Sequence, residues 1–99
     1  MWQTVGLSFL AGVLGANSVP HFVKGITKEP YPTVFGSTPV VNLIAGWSGF
    51  VLTAVCVYWA HVGRYPALAL VFGALGVLLM GLFHAGVGAF GRDPRAAAN

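Results

Sequence analysis

Charge is what this chain most lacks. Of its 99 residues only 7% are charged, and just two of those are acidic. A soluble domain carries about 25% charge. The chain is also 57% hydrophobic, and a small domain buries only part of the surface that its unfolded chain exposes. A soluble fold of this length would therefore leave a large apolar area in water. Lipid is the solvent that removes the conflict.

The other absences exclude chemistry. Glu29 and Asp93 are the only acids and both lie outside the long apolar stretches. That argues against a transporter that couples transport to protons through an intramembrane carboxylate. Small multidrug transporters have a similar length, but they carry four helices and a glutamate in the first, and this chain departs on both points. Cys56 is the single cysteine, so there is no internal disulfide and no cysteine-built metal centre. It reads as a small hydrophobe facing lipid or a neighbouring helix. There is no HExxH, no nucleophile elbow and no phosphate-binding glycine loop. The expectation is a protein that is not an enzyme. The net charge of +3 sits at the ends of the apolar stretches and forms no basic face, which excludes a nucleic-acid footprint.

What is present is apolar length. Three uncharged stretches, residues 1–23, 30–63 and 65–91, each hold the roughly 20 residues that a spanning helix needs. The predicted fold is all-α: an integral membrane three-helix bundle with short loops, in one membrane domain. The first span is placed at about residues 2–22. Pro20 weakens its end, since proline cannot donate to the helix ladder. Trp2 and Gln3 stand where a signal peptide would carry basic residues, so this segment is read as a retained helix. The loop spans 24–38, with Pro30 and Pro32 favouring extended backbone, Gly25 and Gly36 as flexible points, and Tyr31 and Phe35 suited to the headgroup level. The second span runs from about 39 to 61, opened by Thr38 as N-cap and Pro39 at the first helical position, with Gly63 as its stop. The third runs from about 66 to 90, and 91–99 is a tail. The short turn between the second and third makes them antiparallel neighbours.

Lysine and arginine counts predict orientation. Lys24, Lys28, Arg92 and Arg95 fall on one side and Arg64 on the other, which puts the N-terminus outside and the C-terminus in the cytoplasm. The four basic residues on the inner side serve topology and lipid headgroups. Small residues recur at helix-packing spacings: Ser8, Gly12 and Ala16; Ala45, Gly49 and Thr53; Ala67, Ala74, Gly81 and Gly88; and Ala69 with Gly73. Such spacings let backbones approach in membranes. Three helices do not bury fourteen glycines easily, which suggests self-association or other membrane subunits as partners.

Four polar residues fall inside the spans toward the inner side: Asn17, His21, Asn42 and His84. Read structurally, they form a hydrogen-bond layer that fixes helix register, each bond contributing roughly 0.6 to 2 kcal/mol. Read functionally, they form a ligand site or line an ion path. His84 has small residues at Gly81, Ala85 and Gly88, which leave room for a flat macrocycle, so haem or a chlorophyll-type pigment is the alternative to having no cofactor. No metal site is expected beyond that tetrapyrrole ligand.

The stretch Asn-Ser-Val-Pro-His-Phe-Val-Lys-Gly from Asn17, then Glu-Pro-Tyr-Pro-Thr-Val-Phe-Gly from Glu29, then Pro-Val-Val-Asn-Leu-Ile-Ala-Gly-Trp from Pro39 resembles a class of small bacterial integral membrane proteins with a similar helix-loop-helix. The resemblance implies a bacterial inner membrane. It brings no activity, cofactor or residue role. The expected function is non-catalytic: an accessory, scaffolding or assembly subunit of a larger membrane complex. A small homo-oligomeric channel or transporter is the alternative, alongside the haem- or chlorophyll-binding subunit.

Overall fold

A computed structural model of the chain describes residues 1–86. It consists of α1 (Trp2–Ile26), α2 (Pro39–Trp59) and α3 (Pro66–Gly86). Each helix is long and apolar enough to cross a membrane. At 1.5 Å per residue, the 21 residues of α2 or α3 reach about 31 Å, the thickness of a bilayer's hydrocarbon core. The protein is a multi-pass helical membrane bundle. The expected end of the third helix near Phe90, and the tail with Arg92 and Arg95, lie outside the described residues.

α1 is longer than its sequence suggests. It runs through Pro20 to Ile26, so Lys24 and Gly25 belong to the helix and not to the loop. Packing explains the difference. Beyond Pro20, α1 lies against α2 so closely that a Cβ on Gly46 would stand 2.6 Å from the Phe22 nitrogen. A Cβ on Gly25 would stand 2.6 Å from the Leu43 nitrogen. Contact on this scale outweighs the one ladder hydrogen bond that proline removes, as is common within membranes.

The end of α1 is a Schellman motif. The Glu29 N–H donates to the Lys24 carbonyl at 2.9 Å, and the Lys28 N–H to the Gly25 carbonyl at 3.3 Å. Between them Lys28 takes the left-handed conformation, φ 60°, a place where glycine is the usual residue. Lysine there carries a steric cost of about 1–2 kcal/mol. Lys28→Gly should therefore raise stability by about 1 kcal/mol, read as a higher midpoint in detergent or denaturant unfolding.

α2 begins as its sequence indicates. The Thr38 hydroxyl accepts from the Val41 N–H at 3.3 Å, with Pro39 at the first position. Its end differs from expectation: the helix closes at Trp59, and the left-handed residue after it is His61, φ 53°, not Gly63. Gln3 on α1 shapes this end. Its amide donates to the Trp59 carbonyl at 2.6 Å and lies 3.1 Å from the His61 Nε2. A carbonyl that the finished helix leaves open is thus satisfied from α1.

α1 occupies the middle. Extended packing joins it to α2 on one side and to α3 on the other, while α2 and α3 share no comparable interface. The short turn makes α2 and α3 antiparallel in sequence order without making them packing partners. The reason lies in where the small residues meet. Toward α3, Gly12 and Gly76 face one another: a Cβ on Gly12 would collide with the Gly73 carbonyl, and one on Gly76 with the Phe9 carbonyl. Toward α2, a Cβ on Gly49 would collide with the Ser18 hydroxyl. The order of these contacts makes α1 parallel to α3 and antiparallel to α2. On α3, the packing set is Ala69, Gly73 and Gly76; of the sevenfold set, Ala67, Ala74 and Gly81 point outward and Gly88 lies outside the described residues.

Candidate functional site

Asn42 anchors the polar end of the bundle. It sits in the first turn of α2 and is fully buried. Its side-chain nitrogen lies 2.7 Å from the Tyr31 carbonyl, 3.0 Å from the Thr38 carbonyl and 3.4 Å from the Ser37 carbonyl. A carbonyl can only accept, so the nitrogen end must face them and the oxygen end must face away. That oxygen lies 2.7 Å from Nδ1 of His21, on α1. Nδ1 therefore carries the proton and donates. A neutral imidazole at this position is held in the Nδ1–H tautomer. Among the described residues Nε2 has no hydrogen-bond partner.

One amide thus joins three segments: α1 through His21, the start of α2 through Thr38, and the loop through Tyr31 and Ser37. The loop folds back on itself as a result. The Tyr31 N–H donates to the Ser37 carbonyl at 3.1 Å, and Thr33 and Gly36 exchange backbone bonds at 2.9 and 3.3 Å. Gly36 makes the turn at φ 117°, a backbone that glycine adopts freely. The Tyr31 ring stands edge-on to His21, with centroids 5.1 Å apart. Burial raises the Tyr31 phenol above its ordinary value of 10.0, with the positive charge of Lys24 acting against the rise. The phenol is accordingly neutral at physiological pH. Nearby, Lys24 pairs with Glu29 at 2.6 Å, both partly exposed. Such an exposed pair contributes little to stability.

Of the four polar residues singled out in the spans, His21 and Asn42 meet directly. Asn17 is half-buried one turn before His21 and makes no side-chain hydrogen bond among the described residues. His84 sits elsewhere. Its Nδ1 donates to the Met80 carbonyl of its own helix at 3.0 Å, and its ring stands edge-on to Phe83. The parallel register of Gly12 with Gly76 sets His84 at the depth of Pro20, yet no bond joins it to His21 or Asn42. Lys28 is exposed at the left-handed cap.

Tyr31 is the participant that sequence reasoning missed. It was suited to the headgroup level as an interfacial aromatic, yet its ring is half-buried over His21. The pairing of Tyr31 with Ser37 was not legible from prolines alone. Two further buried polar atoms, the Thr4 and Ser8 hydroxyls, have no partner among the described residues. They lie one turn apart at the opposite end of α1.

The chain matches no protein-family model, no curated protein and no solved structure.

Proposed function

We propose that this protein is a non-catalytic accessory or scaffolding subunit of the bacterial inner membrane, packed against a larger membrane complex. One observation carries the reading. α3 turns Ala67, Ala74 and Gly81 outward, and around Gly81 there is open space where a Cβ would sit. A lipid tail gains little from a small-residue face, whereas a neighbouring helix can approach it closely and gain van der Waals contact. The use of small residues at the intrachain crossings, Gly12 against Gly76 and Phe22 against Gly46, follows the same logic.

The orientation with the N-terminus outside belongs to this reading. It rests on Lys24, Lys28, Arg92 and Arg95 against Arg64. The Lys24–Glu29 pair does not alter it, because acidic residues contribute little to the topology bias.

A second reading has its own observation. His21 and His84 each have Nδ1–H held by an acceptor, and neither Nε2 has a hydrogen-bond partner among the described residues. Histidines that ligate a metal centre commonly donate their other ring N–H in this way. On this reading either imidazole would supply a nitrogen ligand to a haem or chlorophyll-type group, with the open space at Gly81 beside His84.

One experiment addresses both. The tagged protein is purified in nanodiscs from its native membrane and examined by mass spectrometry and absorption. The expected result is a colourless preparation with other membrane subunits in fixed ratio. Gly81→Leu should then leave the chain folded and weaken the association by about 1–3 kcal/mol, roughly five- to 150-fold. A chain that emerges alone, or only with its own copies, would sink the accessory-subunit reading. A tetrapyrrole band that His84→Ala or His21→Ala removes would establish the second.

A further inference from the structure

We infer that the tip of the 33–36 turn, Val34 and Phe35, is an interfacial anchor that inserts into the bilayer beside the bundle, with Lys28 meeting anionic lipid headgroups. Val34 is 71% and Phe35 83% exposed. Two large apolar side chains at the tip of a turn are costly to leave in water. The bilayer is the apolar phase nearest to them, because the turn joins the ends of two spanning helices, α1 and α2.

The turn's backbone is prepared for that environment. Within hydrocarbon, each unsatisfied N–H or C=O costs several kcal/mol, and loops are normally kept out for that reason. Here the Thr33 and Gly36 N–H groups bond to one another's carbonyls, and the Phe35 N–H donates to the Thr33 hydroxyl at 3.0 Å. That hydroxyl is engaged in turn with the Gly36 carbonyl. The Thr33, Phe35 and Gly36 N–H groups and the Thr33 and Gly36 carbonyls are therefore satisfied within the turn, which leaves the Val34 N–H and the Val34 and Phe35 carbonyls to the polar headgroup layer. The turn is also rigid at its base, since Tyr31, Ser37 and Thr38 are all tied to buried Asn42. An anchor that is already ordered loses little conformational entropy on insertion.

The charge pattern fits the same partner. Glu29 is occupied by Lys24 at 2.6 Å. Lys28, exposed at its left-handed position, has no acidic partner among the described residues. A lysine so placed at the membrane surface is attracted to anionic headgroups. Tyr31, which its residue type also suits to the interface, takes no part, because it covers His21.

The test uses the full chain with Cys56→Ala, reconstituted in nanodiscs of phosphatidylcholine and phosphatidylglycerol. Nitroxide labels are placed singly at Val34→Cys and Phe35→Cys, with Gly63→Cys in the opposite turn as the aqueous control. Collision with oxygen reports lipid, and collision with a water-soluble nickel chelate reports water. The expected oxygen-to-nickel ratio is several-fold higher at positions 34 and 35 than at 63, at a depth of about 5–10 Å below the headgroups. Adding Phe35→Asp should return the label at position 34 to the control ratio. If Cys56→Ala does not fold, the same labels serve in the wild-type background, because Cys56 is buried. Ratios at 34 and 35 equal to the control would overturn the inference. So would exclusion of both reagents, which would place the tip inside a protein contact.

Discussion

Gly76→Val is expected to destabilise the bundle by about 3 kcal/mol, at the upper end of the usual cost of overpacking, and to free α3 from α1. The position allows no gradual accommodation. A Cβ there would collide with the Phe9 carbonyl and stand 3.0 Å from the Val13 nitrogen and 3.2 Å from the Gly12 Cα. All three are backbone atoms of α1, so no side chain can rotate aside. The helices must separate, and that forfeits contact along the whole crossing, because dispersion falls steeply with distance. Gly81→Val is the control. It sits on the same helix with nothing within 4 Å, so it should change intrachain stability by no more than about 0.5 kcal/mol. Unfolding in mixed micelles, read by the tryptophan fluorescence of Trp2, Trp47 and Trp59, measures both. Equal effects at the two positions would show that Gly76 matters through backbone propensity and not through the crossing.

Asn42→Asp is expected to be as damaging as Asn42→Ala, each by about 2–4 kcal/mol, although aspartate is nearly the same shape. The fully buried amide donates to the carbonyls of Tyr31 and Thr38 and accepts from His21. Alanine leaves these buried groups without partners, and each such group costs about 1–3 kcal/mol. Aspartate keeps the bond from His21 but replaces the donor with a second acceptor, which then faces three carbonyl oxygens. Burying an acceptor or a charge beside carbonyls costs about as much as losing the bonds. The same stability measurement, joined by proteolysis within 27–38, checks the prediction: both variants should expose the loop to cleavage. An Asn42→Asp variant as stable as wild type would mean that the loop is held by something other than this amide. His21→Ala should cost less, about 0.6–2 kcal/mol, because it removes one of the bonds and leaves the loop tied to α2.

How much of this was legible in the sequence differs from element to element. Thr38 and Pro39 marked the start of α2 because a cap and a fixed φ are local properties, written in adjacent residues. The end of α2 was less legible: Gly63 was the obvious stop, but Gln3, some 56 positions away, bonds to Trp59 and the chain turns at His61. Pro20 made the first span read as ending near residue 22, four residues short of Ile26. Its local cost is real, and the packing that outweighs it comes from Gly46 and Leu43 on another helix. The small residues of α3 carried an ambiguity that sequence cannot resolve. Ala69 with Gly73 and Ala67 with Ala74 and Gly81 are both plausible packing sets, and rotation of the helix about its axis decides between them. For the candidate site, Asn17, His21, Asn42 and His84 were all visible as polar residues in apolar spans. Their depth followed from rise per residue, but their direction did not.

The sequence by itself determined that the chain is all-α and crosses a membrane three times, because hydropathy, length and the scarcity of charge act residue by residue and need no partner. The tertiary structure alone decided that α1 is the central helix, that α1 extends beyond residue 22 to Ile26, and that Asn42 joins His21 to the Tyr31 loop while His84 bonds within α3. These are outcomes of close approach between distant segments. A helix's azimuth and its neighbours are fixed by which surfaces can come nearest, and that is a property of pairs of helices, not of any one of them.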